Sequence, residues 1–209
     1  MISGGLAELQ RELLAARDRR EEVLREVLAR ESRARAGGAA SATASSGPRT
    51  TNRPMRGAAA APEAGAFLFV STNVPGPGKC PPGLSGMFDD SCRDLLEVLP
   101  SAGTAAASRI LVRDRDILGP YVIAYFRQNA ALCKRRAVAW EERAPGGRLM
   151  DVDVYDPGGW RIGRDGLALK PRPCLVCDQP ARECMLLRRH EPEDLVRACE
   201  ILIEETRRG

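Results

Sequence analysis

Asp151 and Asp153 alternate with Met150, Val152 and Val154. Side chains on a strand repeat with period two. The spacing therefore predicts both carboxylates on one face, about 6–7 Å apart at Cα, with the apolar residues on the other. Two carboxylates so placed can share one Mg2+ or a pair of them, the remaining ligands coming from water and substrate phosphates. Two such ions can clamp the attacking and leaving oxygens of an in-line displacement at phosphorus. The plainer alternative is an amphipathic strand with a solvated acidic face. Gly147-Arg148 stands immediately before the motif. The glycine permits close backbone approach, and Arg148 alternates onto the face opposite Asp151 unless the strand bends there. Glu141 is a candidate third carboxylate, read as lying on a partner strand.

A second constellation is Cys174-x2-Cys177-x6-Cys184-x5-His190, which holds the only histidine of the chain. Three thiolates and an imidazole suit tetrahedral Zn2+, and four protein ligands leave no open position, so such a site is structural. The alternative is three buried thiols and a surface histidine.

Phosphate-handling groups are the third class. Asn73 to Lys79 reads NVPGPGK, a rigid turn whose glycine amides and terminal lysine can face an anion. It lacks the spacing of a P-loop or a dinucleotide fingerprint. Arg164 is a further candidate, with an exposed ion pair to Asp165 as its alternative. In the first helical segment, 100° per residue puts Arg17 at about +40° and Arg20 at about −20° from Leu13. Both arginines thus lie within the apolar stripe. They either snorkel or pair with carboxylates there, or they are delivered to an anion.

The elements that must position these groups follow from pattern. Residues 5–34 repeat Leu6, Leu9, Leu13, Leu24, Val27 and Leu28 at helical steps, giving an N-terminal amphipathic helix over 1–35. Residues 36–66 are Ala, Gly, Ser, Thr and Pro with little to bury, a disordered linker by composition. Residues 67–209 form the globular domain, with its Cys-rich loop at 172–190. Strands are expected at 67–74, 107–114, 120–126, 135–142 and 148–155, the last two as a hairpin, with another beginning at Trp160. Helices are expected at 86–98 and from Pro192, where Glu191, Glu193 and Asp194 complement the helix dipole and Leu195, Cys199, Leu202 and Ile203 form the buried stripe. The fold class is α+β: a small mixed or antiparallel sheet of nucleotidyltransferase-like type with flanking helices.

Composition narrows the partners. Aromatics are 4% of the chain, too few for a base-stacking surface. A formal charge of +4 fits a small polyanion or an acidic protein better than DNA, and no nucleic acid is expected. No apolar run approaches a membrane span and no secretory leader is evident. Seven cysteines, an odd number, then suit a reducing, cytoplasmic setting.

In their order along the chain, Arg148, Asp151, Asp153, Val154, Arg164, Arg172, Cys174, Cys177, Cys184 and His190 resemble the citrate lyase carrier-protein phosphoribosyl-dephospho-CoA transferase family, the holo-citrate lyase synthases. Leu13, Leu14, Arg17 and Arg20, the Pro75–Lys79 turn and Glu141 fit the same pattern. The match is densest over 135–195 and thin over 81–133, and 36–66 reads as an insertion. The resemblance implies a donor, 2′-(5″-triphosphoribosyl)-3′-dephospho-CoA, and an acceptor serine on the apo acyl carrier subunit of citrate lyase. The serine attacks the phosphorus nearest the ribose and pyrophosphate leaves. It further implies Mg2+ on Asp151 and Asp153, and charge neutralisation by Arg148, Lys79 and Arg164. Glu141 would act as proton acceptor or extra metal ligand, and Arg17 and Arg20 would contact phosphates or the acidic carrier. The competing readings are the same transfer to a malonate decarboxylase carrier, a zinc-dependent regulatory or nucleic-acid-binding module, and a helical adaptor built on residues 5–34.

Overall fold

The computed structural model describes residues 3–36, 65–76, 78–100 and 108–208. Most of the linker assignment lies outside them. Helix α1 (Ser3–Ala36) precedes β1 (Ala66–Thr72), α2 (Leu84–Val98), β2 (Ser108–Asp116) and β3 (Gly119–Phe126). Then come α3 (Ala130–Arg143), a 3-10 turn at Pro145–Leu149, β4 (Met150–Tyr155), β5 (Arg161–Ile162), α4 (Ala181–Leu187) and α5 (Pro192–Arg208). The α+β class holds, with one five-stranded sheet in the order β2-β3-β1-β4-β5. All four pairings are antiparallel.

Register divides the sheet into two faces. Leu68, Val70, Val122, Ala124, Val152 and Val154 are buried in the main core with residues of α2, α3 and α5. On the other face Phe67 pairs with Tyr155, Phe69 with Asp153 and Ser71 with Asp151. Helix α1 covers part of this face, with Leu24, Val27 and Leu28 packed among Phe67, Ile123 and Tyr155. Burying one such side chain is worth about 1.5–3 kcal/mol, so three leucine- or valine-sized contacts anchor the helix.

The expected strand at 135–142 is instead the second half of α3, and the expected hairpin with 148–155 does not form. Alternation in RRAVAWEE is short and imperfect. The Asn129 side chain accepts from the Leu132 amide and caps a helix, and Cys133, Ala137 and Trp140 bury a stripe at three- and four-residue steps. Trp140 Nε1 donates to Asp94 of α2 at 2.6 Å.

Polar contacts fix α1 in register. Arg20 is buried and makes a forked pair with Asp116, 2.8 and 2.6 Å, while also donating to the Gly119 carbonyl at 2.5 Å. Its guanidinium lies over the Tyr121 ring, 4.6 Å from the centroid. Farther along, Glu31 accepts from Arg109 at 2.5 Å, and Arg35 lies over Tyr125 and Phe67. Replacing Arg20 with Ala leaves Asp116 partly buried and without its cation. The expected loss is about 3 kcal/mol of stability, read as a lower urea midpoint in equilibrium unfolding.

Candidate active site

The outer edge of β4 organises the site. Strand β5 pairs only with Val154 and Tyr155, so the backbone of Met150 and Val152 faces outward without a strand. Side chains take the place of that strand. Lys134 of α3 donates to the Val152 carbonyl at 2.5 Å, and the Val152 amide donates to Glu141 Oε1 at 3.3 Å. Lys134 and Glu141 are seven residues apart, two helical turns, and therefore share one side of α3. Arg172 donates to the Met150 carbonyl at 2.8 Å.

Glu141 is buried and carries two guanidiniums: Arg164 on Oε2 at 2.5 Å and Arg172 on Oε1 at 3.1 Å. Arg164 also donates to Glu142 and to the Lys170 carbonyl, rather than pairing with Asp165. Glu141 lies on α3 rather than on a partner strand, and both its oxygens are engaged, by the Val152 amide and two arginines. Arg148, in the 3-10 turn, donates to the Cys174 carbonyl, and its Nε is buried with no partner among the described residues. Gly147 permits that turn: a Cβ there would lie 2.6 Å from the Glu141 carbonyl oxygen, against backbone that cannot give way. Glu141, Glu142, Gly147, Arg148, Arg164 and Arg172 enclose a cavity of about 90 Å3.

On the face shared with α1, Asp151 and Asp153 stand together as the alternation requires, the former about half exposed (49%) and the latter 28%. Each has an arginine: Arg161 lies 3.2 Å from Asp153, and Arg172 lies 3.5 Å from Asp151. Burial raises the Asp153 pKa above the usual carboxylate range, and the Asp151 charge adds to the rise, with Arg161 and Lys134 opposing it. Arg172 touches both Asp151 and Glu141, so it joins the carboxylate pair to the arginine cavity. Arg172, Arg161 and Lys134 thus hold positions in the site to which residue type and spacing alone assign no role. Arg172 has one local signal, its place beside Cys174; the other two have none.

Three expected phosphate ligands are elsewhere. Lys79 turns back onto its own loop, donating to the Val74 carbonyl at 2.6 Å; burial lowers its pKa, and nearby Cys199 acts in the opposite direction. Arg17 is exposed and paired with Asp18. Arg20 is consumed by Asp116. Both arginines lie on the predicted stripe, but only one meets the sheet.

The Cys-rich loop brings its four ligands together. The Cys174, Cys177 and Cys184 thiols and a His190 ring nitrogen all lie within 4.8 Å of one another. Cys177 Sγ is 3.5 Å from Cys184 Sγ and 3.3 Å from His190 Nε2. The thiols are free. A zinc tetrahedron with Zn–S ~2.3 Å and Zn–N ~2.0 Å has edges of about 3.5–3.8 Å, so the cluster has the right size. Burial disfavours the Cys174 thiolate, but the Val176 and Cys177 amides and the neighbouring thiols outweigh it, and the pKa is lowered. Arg188 adopts a left-handed conformation at the end of α4, and Arg189 N–H donates to the Cys184 carbonyl at 3.0 Å, reversing the chain so that His190 returns to Cys184.

A larger cavity of about 730 Å3 lies between α2 and β2–β3. Its arginines are engaged, Arg113 with Asp89 and Arg109 with Glu31, and neither the aspartate pair nor the thiol cluster borders it.

A sheet edge that combines a partly open aspartate pair with half-buried guanidiniums is equipment for group transfer from a polyanionic donor, and the chain is a transferase. It belongs to the apo-citrate lyase phosphoribosyl-dephospho-CoA transferase family, whose model matches residues 52–206. Relatives bearing that name, qualified as probable for the first two, come from Vibrio cholerae serotype O1, Streptococcus pyogenes serotype M18 and Citrobacter koseri. The Vibrio protein is 32% identical over 132 residues, covering 62% of this chain and 72% of its own. The Streptococcus protein is 31% identical over 145 residues, 66% and 72%. The Citrobacter protein is 30% identical over 132 residues, 63% and 71%. The family read from the motifs is thereby borne out, as is the transferase activity. No described helix is long and apolar enough to cross a membrane.

The positioning role of Glu141 has its own test. Glu141→Gln keeps the shape but removes the charge between Arg164 and Arg172. The expected loss is about 3 kcal/mol of stability, seen as a lower midpoint in denaturant; a residue serving only as proton acceptor would leave the midpoint unchanged.

Proposed function

We propose that the chain transfers the phosphoribosyl-dephospho-CoA group from 2′-(5″-triphosphoribosyl)-3′-dephospho-CoA to a serine of the apo acyl carrier subunit of citrate lyase. The serine oxygen bonds to the phosphorus nearest the ribose, the bond to the next phosphate oxygen breaks, and pyrophosphate leaves. The observation that carries this reading is the juxtaposition of Asp151 and Asp153 with Arg148, Arg161, Arg164 and Arg172 on one strand edge. We read it as nucleotidyltransferase-type chemistry on this antiparallel sheet.

Asp151 and Asp153 are the residues that would hold Mg2+. They fit it: two hard oxygen donors on one face, partly open, with Asp153 desolvated and repelled by its neighbour, are relieved by a divalent cation. When bound, Mg2+ supplies charge neutralisation at the triphosphate. Arg161 and Arg172 are the counter-ions of the free aspartates. With the donor in place, their guanidiniums turn to phosphate oxygens, and Arg148, whose Nε lacks a partner, binds the leaving group with Arg164.

Cys174, Cys177, Cys184 and His190 would hold a structural Zn2+, which supplies rigidity to the loop. Cys174 receives Arg148 on its carbonyl, and the Arg172 carbonyl accepts from the Ala181 amide at 2.9 Å, so this loop sets two of the four arginines.

Intact-mass measurement of the apo carrier after incubation with donor and Mg2+ tests the transfer. The expected gain is one phosphoribosyl-dephospho-CoA group, abolished by EDTA. Asp151→Asn and Asp153→Asn are each expected to lower the rate at least 100-fold, about 2.7 kcal/mol of transition-state stabilisation. Wild-type rates in both variants would overturn the metal assignment. A gain on a malonate decarboxylase carrier alone would reassign the acceptor.

For the thiol cluster, elemental analysis of the purified chain is expected to give one zinc per chain. Stripping it with a strong chelator lowers the thermal midpoint and changes near-UV circular dichroism, and zinc restores both. A metal-free chain of unchanged midpoint would exclude the structural role.

A further inference from the structure

The two peptide units that join Asp151 to Asp153 are both held by one helix. The unit between Asp151 and Val152 presents the Val152 amide, which donates to Glu141 Oε1 at 3.3 Å. The unit between Val152 and Asp153 presents the Val152 carbonyl, which accepts from Lys134 Nζ at 2.5 Å. Glu141 and Lys134 both stand on α3, and both are buried. The Val152 side chain is itself fully buried in the main core, so the residue between the aspartates is a fixed pivot. On the inner edge β1 supplies Phe69 opposite Asp153, Val70 opposite Val152 and Ser71 opposite Asp151. On the outer edge β5 reaches only Val154 and Tyr155. Without the two arms of α3 the aspartates would stand on a bare sheet edge, where strands bulge and twist.

Lys134 is the arm that the fold alone explains least. The Glu141 oxygens are taken by Val152, Arg164 and Arg172, and among the described residues no carboxylate pairs with the Lys134 ammonium. A buried cation without a contacting counter-ion is costly. A neutral donor would cap one carbonyl at smaller cost. The ammonium is near enough to Asp153 for its charge to act on that carboxyl, which places the arm beside the aspartate pair.

A grip on both peptides decides what size of ion the pair accepts. Mg2+ takes oxygens at about 2.0–2.1 Å in a near-ideal octahedron, whereas Ca2+ takes them at about 2.3–2.6 Å in loose geometry. Adjacent ligand oxygens are then about 2.9 Å apart on Mg2+ and about 3.4 Å apart on Ca2+. A small turn of either peptide plane covers that difference of about 0.5 Å. A pair on a free edge would follow the larger ion, and a pair held at both peptides resists it.

We infer that Lys134 is a positioning residue that, with Glu141, fixes the spacing of Asp151 and Asp153 and so selects Mg2+ over a larger divalent cation. The inference rests on the proposed metal assignment and names what sets the choice of ion there.

Lys134→Met keeps the length of the arm and removes its donor. The full chain, without donor nucleotide or carrier, is loaded with Mn2+, and Mg2+ or Ca2+ displaces it, followed by the electron paramagnetic resonance signal of free Mn2+. The readout is the ratio of the Ca2+ to the Mg2+ dissociation constant. Both ions are divalent, so the charge lost with Lys134 acts on them alike and cancels in the ratio, whereas a change of spacing does not. The ratio is expected to fall about fivefold or more in Lys134→Met. It is expected to stay within about twofold of the parent's in Lys134→Arg, which keeps a donor. Should Lys134→Met lack a cooperative thermal transition, Lys134→Gln takes its place: its neutral arm is one bond shorter and leaves the carbonyl, and the same fall is expected. A folded variant with a lower thermal midpoint but an unchanged ratio would make Lys134 a prop of the fold alone and overturn the inference. So would a ratio in Lys134→Arg as low as in Lys134→Met, which would assign the effect to packing. Transfer is judged separately. A parent whose Mn2+ is lost in Asp153→Asn, and whose ratio falls in Lys134→Met, but which transfers nothing to the carrier, would sink the transfer reading and keep the clamp. A parent that binds no Mn2+ at the pair would sink the metal assignment and the clamp together.

Discussion

A β-strand edge cannot be left with buried, unpaired amides and carbonyls. At Met150 and Val152 the next strand has already ended, and three charged side chains supply what it would have supplied. Lys134 and Arg172 cap carbonyls, and Glu141 caps an amide. Their charges must then be balanced in a low-dielectric setting, and Glu141 draws in Arg164 beside Arg172 to do so. A backbone requirement thus gathers guanidiniums beside the strand that bears Asp151 and Asp153. The proposed chemistry sits where sheet pairing stops.

The Cys-rich loop extends the same logic. It has little apolar content facing inward: Cys174 and Cys184 are its buried residues, with Leu175 packed at the core margin. A loop of this kind cannot hold its shape by burial. A short helix with a left-handed end and hydrogen bonds from Arg148 and Ala181 do so instead, and the clustered Cys174, Cys177, Cys184 and His190 would add a metal tie in the proposed site. The division of labour is clear: the main core fixes the sheet, and the cluster fixes the arginines against the sheet's edge.

Much of this was legible in the sequence where the signal is local. Strand periodicity placed both aspartates on one face, ligand spacing picked out the cluster, and the stripes of α1 and α5 gave both helices, with Leu24, Val27, Leu28, Cys199 and Ile203 buried as expected and Leu6 exposed against expectation. What failed depended on distant partners. RRAVAWEE reads as a strand only if the Asn129 cap and the Cys133–Ala137–Trp140 spacing are left out of the window. Lys79 has the right type and turn for an anion, but its orientation was decided by its own Val74 carbonyl. Arg17 and Arg20 share a stripe, and partners on other elements separate them: Asp116 and the Gly119 carbonyl receive Arg20, whereas Arg17 pairs with its neighbour Asp18. Inward-turned charges such as buried Lys134 and half-buried Arg172 have no periodic signature, because what they satisfy is backbone on another element.

The two ends of the stretch between α1 and β1 lie side by side. Arg35 reaches across Phe67 and Tyr125, and a Cβ on Gly65 would lie 2.9 Å from its guanidinium. The chain therefore departs and re-enters at one point of the surface. Closing a loop between two adjacent points depends only logarithmically on its length, about 0.6 kcal/mol for each doubling. Natural selection can lengthen, shorten or replace such a stretch with almost no penalty to the folded domain. The junction is a natural port at which evolution, or a protein engineer, can graft a foreign module without disturbing the edge of β4.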